Sequence, residues 1–129
     1  MKNFLCLISV LFLCGVLFNA AQAQNQRIID SLMNLLKTAK EDTNKVNHLY
    51  NLGRELMYSN PDTAMILGNQ ALSLSEKATS KKHIADSYHI IALAYFLKGN
   101  YPSSLENNFK ALALREELAD KSGIAKSLG

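Results

Sequence analysis

Shifted by 40 positions, residues 69–89 (NQALSLSEKATSKKHIADSYH) fall on residues 109–129 (FKALALREELADKSGIAKSLG). Eight of the 21 positions are identical: Ala71/Ala111, Leu72/Leu112, Leu74/Leu114, Glu76/Glu116, Lys81/Lys121, Ile84/Ile124, Ala85/Ala125 and Ser87/Ser127. Two amphipathic helices share leucines and alanines by chance. They do not by chance also share a linker length and an Ile-Ala-x-Ser start. A fixed period of this size is the strongest constraint on the fold. Each repeat is one supersecondary unit that cannot bury its apolar face alone, so neighbours must stack.

From Asn25 onward the apolar residues recur at helical spacing, without strand-like alternation. The spacing predicts five helices. The first, about 26–40, carries Ile28, Ile29, Leu32, Leu35, Leu36 and Ala39 on one stripe. The second, about 43–58, follows Asp42 as N-cap and carries Val46, Leu49, Leu52, Gly53 and Leu56. The third opens on Asn60-Pro61-Asp62: Asn suits the cap, Pro the first helical position, and Asp the positive end of the helix dipole. Its stripe is Ala64, Leu67, Ala71, Leu74 and Ala78. The fourth, about 81–98, carries Ile84, Tyr88, Ile91 and Tyr95 beside Ala85 and Ala92, and Gly99 follows as a left-handed C-cap. The fifth, about 101–119, carries Leu105, Phe109, Leu112 and Leu118 beside Ala111 and Leu114. The short connections predict antiparallel neighbours. Gly costs roughly 1 kcal/mol relative to Ala inside a helix. Gly53 and Gly68 therefore imply that another helix comes close, and Gly53→Leu should overpack that contact by roughly 1–3 kcal/mol.

These residues resemble the tetratricopeptide repeat family. Tyr88-x-x-Ile91-Ala92-x-x-Tyr95 is similar to the family's helix A, and Gly99-Asn100-Tyr101 looks like its turn into helix B, which then supplies Ser104, Asn108 and Ala111. The preceding pair reads Leu49-x-x-Leu52-Gly53-x-x-Leu56, then Ala64, Gly68 and Ala71, with a turn one residue shorter. Ser104 departs from the usual alanine, Asn108 and Gly68 stand where an aromatic is common, and the closing proline is missing from both repeats. The period of 40 exceeds the family's usual one and implies longer helices. The resemblance covers about 43–129 and implies an all-α fold, an antiparallel helix-hairpin solenoid. The competing arrangement is an unrelated helical bundle.

The first residues read differently. Lys2 is followed by an uncharged, almost wholly apolar run from Phe4 to Phe18, then Asn19-Ala20-Ala21-Gln22-Ala23. That is the plan of a secretory signal peptide cleaved after Ala23. The run is short for a membrane span, which needs roughly 20 residues, although an uncleaved anchor is the alternative. The resulting division is a signal peptide at 1–23, an N-terminal capping helix at 24–41, and repeats at 42–80 and 81–121. Residues 122–129 read as the start of a third repeat, cut short. Without Lys2, 13 basic residues stand against 11 acidic ones in scattered positions, which argues against nucleic acid as a partner. Cys6 and Cys14 both lie in the signal segment, so 24–129 offers no disulfide, thiol nucleophile or cysteine metal site.

Catalytic chemistry is not expected. His48, His83 and His89 have no ligand spacing of the His-Glu-x-x-His kind. Glu116-Glu117 are adjacent on a helix and do not converge, and Lys81-Lys82 read as a helix-start surface. Neither a catalytic residue, a cofactor nor a metal is expected. Binding is the better expectation. Helix A lines the inner surface of a curved stack of hairpins. Opposite the buried stripes lie Asn47, Tyr50, Arg54 and Met57 in one helix A, and Asp86, His89, Leu93 and Phe96 in the next. The resemblance implies that such positions hold a peptide or protein segment, while Met57, Leu93 and Phe96 have packing against adjoining helices as the alternative. Apolar surface on 101–119 points to self-association. The expected function is a non-catalytic, exported interaction scaffold, on the periplasmic or extracellular side of the cytoplasmic membrane. The resemblance to exported bacterial repeat proteins also implies a sensor portion of a longer signalling protein, with a histidine kinase or a DNA-binding regulator beyond it. An accessory or chaperone subunit of an enzyme is the third alternative.

Overall fold

The computed structural model describes residues 1–119 and 121–128, and the side chains of all of these except Lys2, Asn3, Lys121, Ser122, Ile124 and Ala125. The repeat pairings of Lys121, Ile124 and Ala125 therefore lie outside the described side chains. The described residues form helices α1 (Lys2–Thr38), α2 (Thr43–Leu56), α3 (Pro61–Lys77), α4 (Lys81–Leu97), α5 (Tyr101–Glu117) and α6 (Lys121–Leu128), with no strand among them. The chain is all-α.

Local chemistry explains where these helices start. The Asp42 carboxylate accepts from the backbone N–H of Asn44 at 2.9 Å and of Lys45 at 3.3 Å. The Asn60 side chain accepts from Thr63 N–H at 3.0 Å, and Asn100 does the same from Ser103 N–H at 3.2 Å. Each satisfies a donor that the first helical turn leaves unpaired. Pro61 and Pro102 stand in the first turns of α3 and α5, where a missing N–H costs nothing.

The helix ends repeat one another too. Gly99 adopts φ +76°, and its N–H and that of Asn100 return to the carbonyls of Phe96 and Tyr95. This is a Schellman closure. Thr79 closes α3 in the same way at φ 51°, with Thr79 and Ser80 donating to Glu76 and Ser75. Ala119 ends α5 at the same φ of 51°. Two residues with a Cβ thus hold left-handed positions 40 apart. The sequence reading looked for glycine and did not find these two.

Helices adjacent along the chain pack against one another, and α4 also touches α2. One core cluster joins Val46, Leu49 and Leu52 of α2 to Leu67, Ala71 and Leu74 of α3, with Ile29, Leu32 and Leu36 of α1 packed on it. A second joins Met57 and Ala64 to Ile90 and Ala94 of α4, flanked by Tyr50, Met65 and Leu93. Ile90, Ala94 and Ser87 are buried although they lie off the expected stripe. The reason is that α4 packs on α2, α3 and α5, so it is covered on more than one side.

Three expectations about packing change. The first helix does not begin near residue 26: α1 runs unbroken from the apolar segment to Thr38. Its only glycine is Gly15, it has no proline, and Asn19 to Asn25 contain nothing that stops a helix. Within it Ile28 and Leu35 are exposed rather than buried. In α5, Leu105 is 56 % and Phe109 59 % exposed, and Leu118 just after it and Ala78 just after α3 also face solvent. The buried face of α5 is carried by Ser104, Ala111 and Arg115. The two glycines differ as well. A Cβ on Gly53 would meet Ile90 Cγ2 at 3.4 Å, an ordinary contact. A Cβ on Gly68 would meet Ile90 Cγ2 and Ile91 Cγ1, both at 3.0 Å. Close approach is required only at Gly68.

Candidate functional site

Among the residues singled out from the sequence, Tyr50, Arg54, Met57, His89 and Leu93 converge. Together with Tyr58 and Lys126 they line one open cavity of about 330 Å³. Three helices supply the walls. Tyr50 and Arg54 stand one turn apart on α2, which puts them on one face, and the Arg54 guanidinium lies 6.0 Å from the centre of the Tyr50 ring. His89 and Leu93 repeat that spacing on α4. Lys126 comes from α6.

The remaining candidates lie elsewhere. Asn47 is exposed and outside the cavity wall. Phe96 is 55 % exposed and meets Tyr101 edge-on, with ring centres 5.6 Å apart. Met57, on the cavity floor, is only 3 % exposed and belongs to the second core cluster, so packing is its main role. Asp86 sits beside the cavity in an ion-pair network: it accepts from Arg115 at 2.8 Å and from Lys82 at 3.0 Å.

Arg115 is the residue that sequence reasoning missed. It is 1 % exposed, and its guanidinium reaches Asp86 on α4 and Ser127 Oγ on α6, the latter at 2.5 Å. A signal was present. Forty residues earlier stands Ser75, which is fully buried, so the repeat puts a cation at a position that the core encloses. Asn108 likewise follows Gly68 by 40, and its Oδ1 is buried with no hydrogen-bond partner. His89 Nδ1 and Arg115 Nε share that condition. Buried polar atoms without partners are rare and costly, and here three cluster behind one cavity.

The electrostatics follow from this placement. Burial would raise the Asp86 carboxyl, but hydrogen bonds from Arg115 and Lys82 outweigh it and hold the group below its ordinary value. Burial pushes His89 below the ordinary imidazole value, and the Arg115 charge adds to the effect, while neighbouring Asn108 acts in the opposite direction. Tyr50 is raised by burial and then by the Asp86 charge. The charges that act on Tyr50 and His89 are those of Arg54, Lys82, Arg115 and Lys126 and, with the opposite sign, of Asp86. Among the described residues no group of three or more His, Cys, Asp or Glu side chains is placed to hold a metal ion.

At the N-terminus, α1 from Phe4 is the one helix among the described residues that is long and apolar enough to cross a membrane, with mean hydropathy 2.5 over its most apolar window and none of that window buried. Such a helix near the N-terminus fits a signal peptide or a membrane anchor. Comparison with protein-family models, with curated proteins and with solved structures finds no match for the chain.

Proposed function

We propose that this chain is an exported, tetratricopeptide-like repeat protein whose helix-hairpin stack captures peptide or protein segments and does no chemistry itself. Convergence carries the reading: Tyr50, Arg54, His89 and Leu93, picked from the unburied faces of two helices, line one cavity. The hairpin arrangement draws support from pairs across helix ends. Lys98, just after α4, bonds Asp62 at the start of α3, and Lys81 at the start of α4 bonds Glu117 at the end of α5 at 2.6 Å. Both pairs fit antiparallel neighbours. The caps at Asn60 and Asn100, and the closures at Thr79 and Ala119, recur at the same period of 40. An aromatic ring, a guanidinium, an imidazole and aliphatic walls suit a side chain with both apolar and polar parts. The test is affinity capture of binding segments by the wild type and by Tyr50→Ala with Arg54→Ala. The variant should keep its helical melt and lose most of its captured material. Unchanged capture would overturn the groove assignment.

A second reading makes this the sensing portion of a membrane-tethered signalling protein. The unbroken α1 favours it. A helix that runs from an apolar, uncovered stretch directly into residues packed on α2 would hold the repeats at a fixed distance from a bilayer. The mass of the mature N-terminus separates the two readings. Cleavage after Ala23 supports the free exported form, and retention of residues 1–23 supports the tether.

A further inference from the structure

We propose that the end of the bundle formed by the α2–α3 and α4–α5 turns lies against the surface of the bilayer that α1 enters, with Tyr58, Phe96 and Tyr101 in the interface. This rests on the tethered reading above and names the surface that the tether presents to the membrane.

α1 carries no charge from Phe4 to Gln26. As a helix, residues 4–23 rise about 30 Å, the thickness of the hydrocarbon core. A span ending there puts Gln22 to Gln26 at the water boundary. At that level Ser59 shares an open cleft with Phe18, Gln22 and Gln26. Ser59 belongs to the turn between α2 and α3, so this turn stands beside the point where α1 leaves its apolar stretch.

α4 brings a second turn to the same end. Met57, just after α2, shares a core cluster with Ile90 and Ala94 of α4. Lys98, just after α4, pairs with Asp62 in the first turn of α3. The α4–α5 turn therefore lies alongside the α2–α3 turn.

These two turns expose aromatic rings. Tyr58 is 87 % and Tyr101 61 % exposed, and Phe96 and Leu97 are exposed beside Tyr101. Phe96 and Tyr101 meet edge-on and form one patch. The turns at the opposite end, 39–42, 78–80 and 118–119, hold no aromatic residue, and Leu118 is their one exposed large apolar side chain. A tyrosine favours the boundary between hydrocarbon and water, where its ring is dry and its hydroxyl wet. Here such rings gather at the end from which an uncovered apolar helix projects. Once that helix is inserted, lipid is the surface nearest to them, and a protein partner would have to fit between this end and the membrane.

The chain contains no tryptophan, so single substitutions report their own depth. The test places the full chain in nanodiscs of phosphatidylethanolamine and phosphatidylglycerol with acyl chains brominated near the headgroup. Emission is compared with that in unbrominated discs. Tyr58→Trp and Phe96→Trp should each lose emission about twofold, because an interfacial ring touches those chains. Leu118→Trp, at the far end, should lose none. Phe109→Trp, about two turns along α5 from Tyr101, should be quenched less than Phe96→Trp. If Tyr58→Trp and Phe96→Trp are quenched no more than Leu118→Trp, the proposal is overturned and the tether stands. Strongest quenching at Phe109→Trp would also overturn it, by putting the side of α5 rather than the end of the bundle on the lipid. A mature protein that lacks residues 1–23 would remove the tether and this proposal together.

Discussion

Replacing each buried helical glycine by alanine separates packing from propensity. Alanine is favoured over glycine by about 0.8–1.0 kcal/mol in a helix interior. At Gly53 the new methyl would lie 3.4 Å from Ile90 Cγ2, 3.6 Å from the Ala64 carbonyl oxygen and 3.8 Å from Leu67 Cβ. Those are contacts that a core accepts, so Gly53→Ala should stabilise by about 0.5–1 kcal/mol. At Gly68 the methyl would meet Ile90 Cγ2 and Ile91 Cγ1 at 3.0 Å and Ile90 Cβ at 3.6 Å. Both isoleucines are buried, and a β-branched side chain in a helix has one strongly preferred χ1, so neither branch can swing aside. Relief requires α4 to move off α3, an overpacking cost of about 1–3 kcal/mol. The helix gain offsets part of this, which leaves Gly68→Ala destabilised by about 0.5–2 kcal/mol. Urea unfolding of residues 24–129, read at equal m-values, measures both. A Gly68→Ala protein at least as stable as Gly53→Ala would refute the close approach of α3 and α4 at this point.

Thr79→Gly should stabilise by about 0.5–1 kcal/mol, because a β-branched residue at φ 51° carries strain of about 1–2 kcal/mol, against which glycine's extra unfolded-state freedom is the smaller cost. A thermal melt that does not rise would show that the turn is not strained. Asp86→Asn should cost about 3 kcal/mol near neutral pH, since it leaves the enclosed Arg115 without its counter-charge. The Asp86 carboxyl is held below its ordinary value when folded, so its contribution is complete above the unfolded value of about 4 and is lost as pH falls through the lower folded one. The stability gap between wild type and variant should therefore close in strong acid, and a gap that persists there would exclude the ion pair as its cause.

Particular residues show how far the sequence reaches. Asp42, Asn60 and Asn100 cap their helices because a short acceptor beside the first turn needs nothing from the rest of the fold. The stripes of α2 and α3 are also legible. Val46, Leu49, Leu52, Leu67, Ala71 and Leu74 face one core, and their helical period alone selects that face. The groove candidates Tyr50, Arg54, His89 and Leu93 came from the same period, read from the opposite side.

Other features depend on which helices meet. Periodicity assumes one buried face per helix. It therefore passed over Ile90 and Ala94, which are covered because α4 has neighbours on several sides, and it placed Leu105 and Phe109 inside, although the face of α5 that is buried is the one carrying Ser104, Ala111 and Arg115. Arg115 reads as a surface cation until α4 and α6 bring Asp86 and Ser127 to it. The difference between Gly53 and Gly68 is one of a few tenths of an ångström in how near Ile90 and Ile91 come. Helix, cap and period are local properties of a chain, set within about two turns of each residue, and the sequence alone determined them here. Burial on a second face, partners for a charge, and the space left for a methyl group depend on residues 12 to 40 positions away, and only tertiary packing decided those.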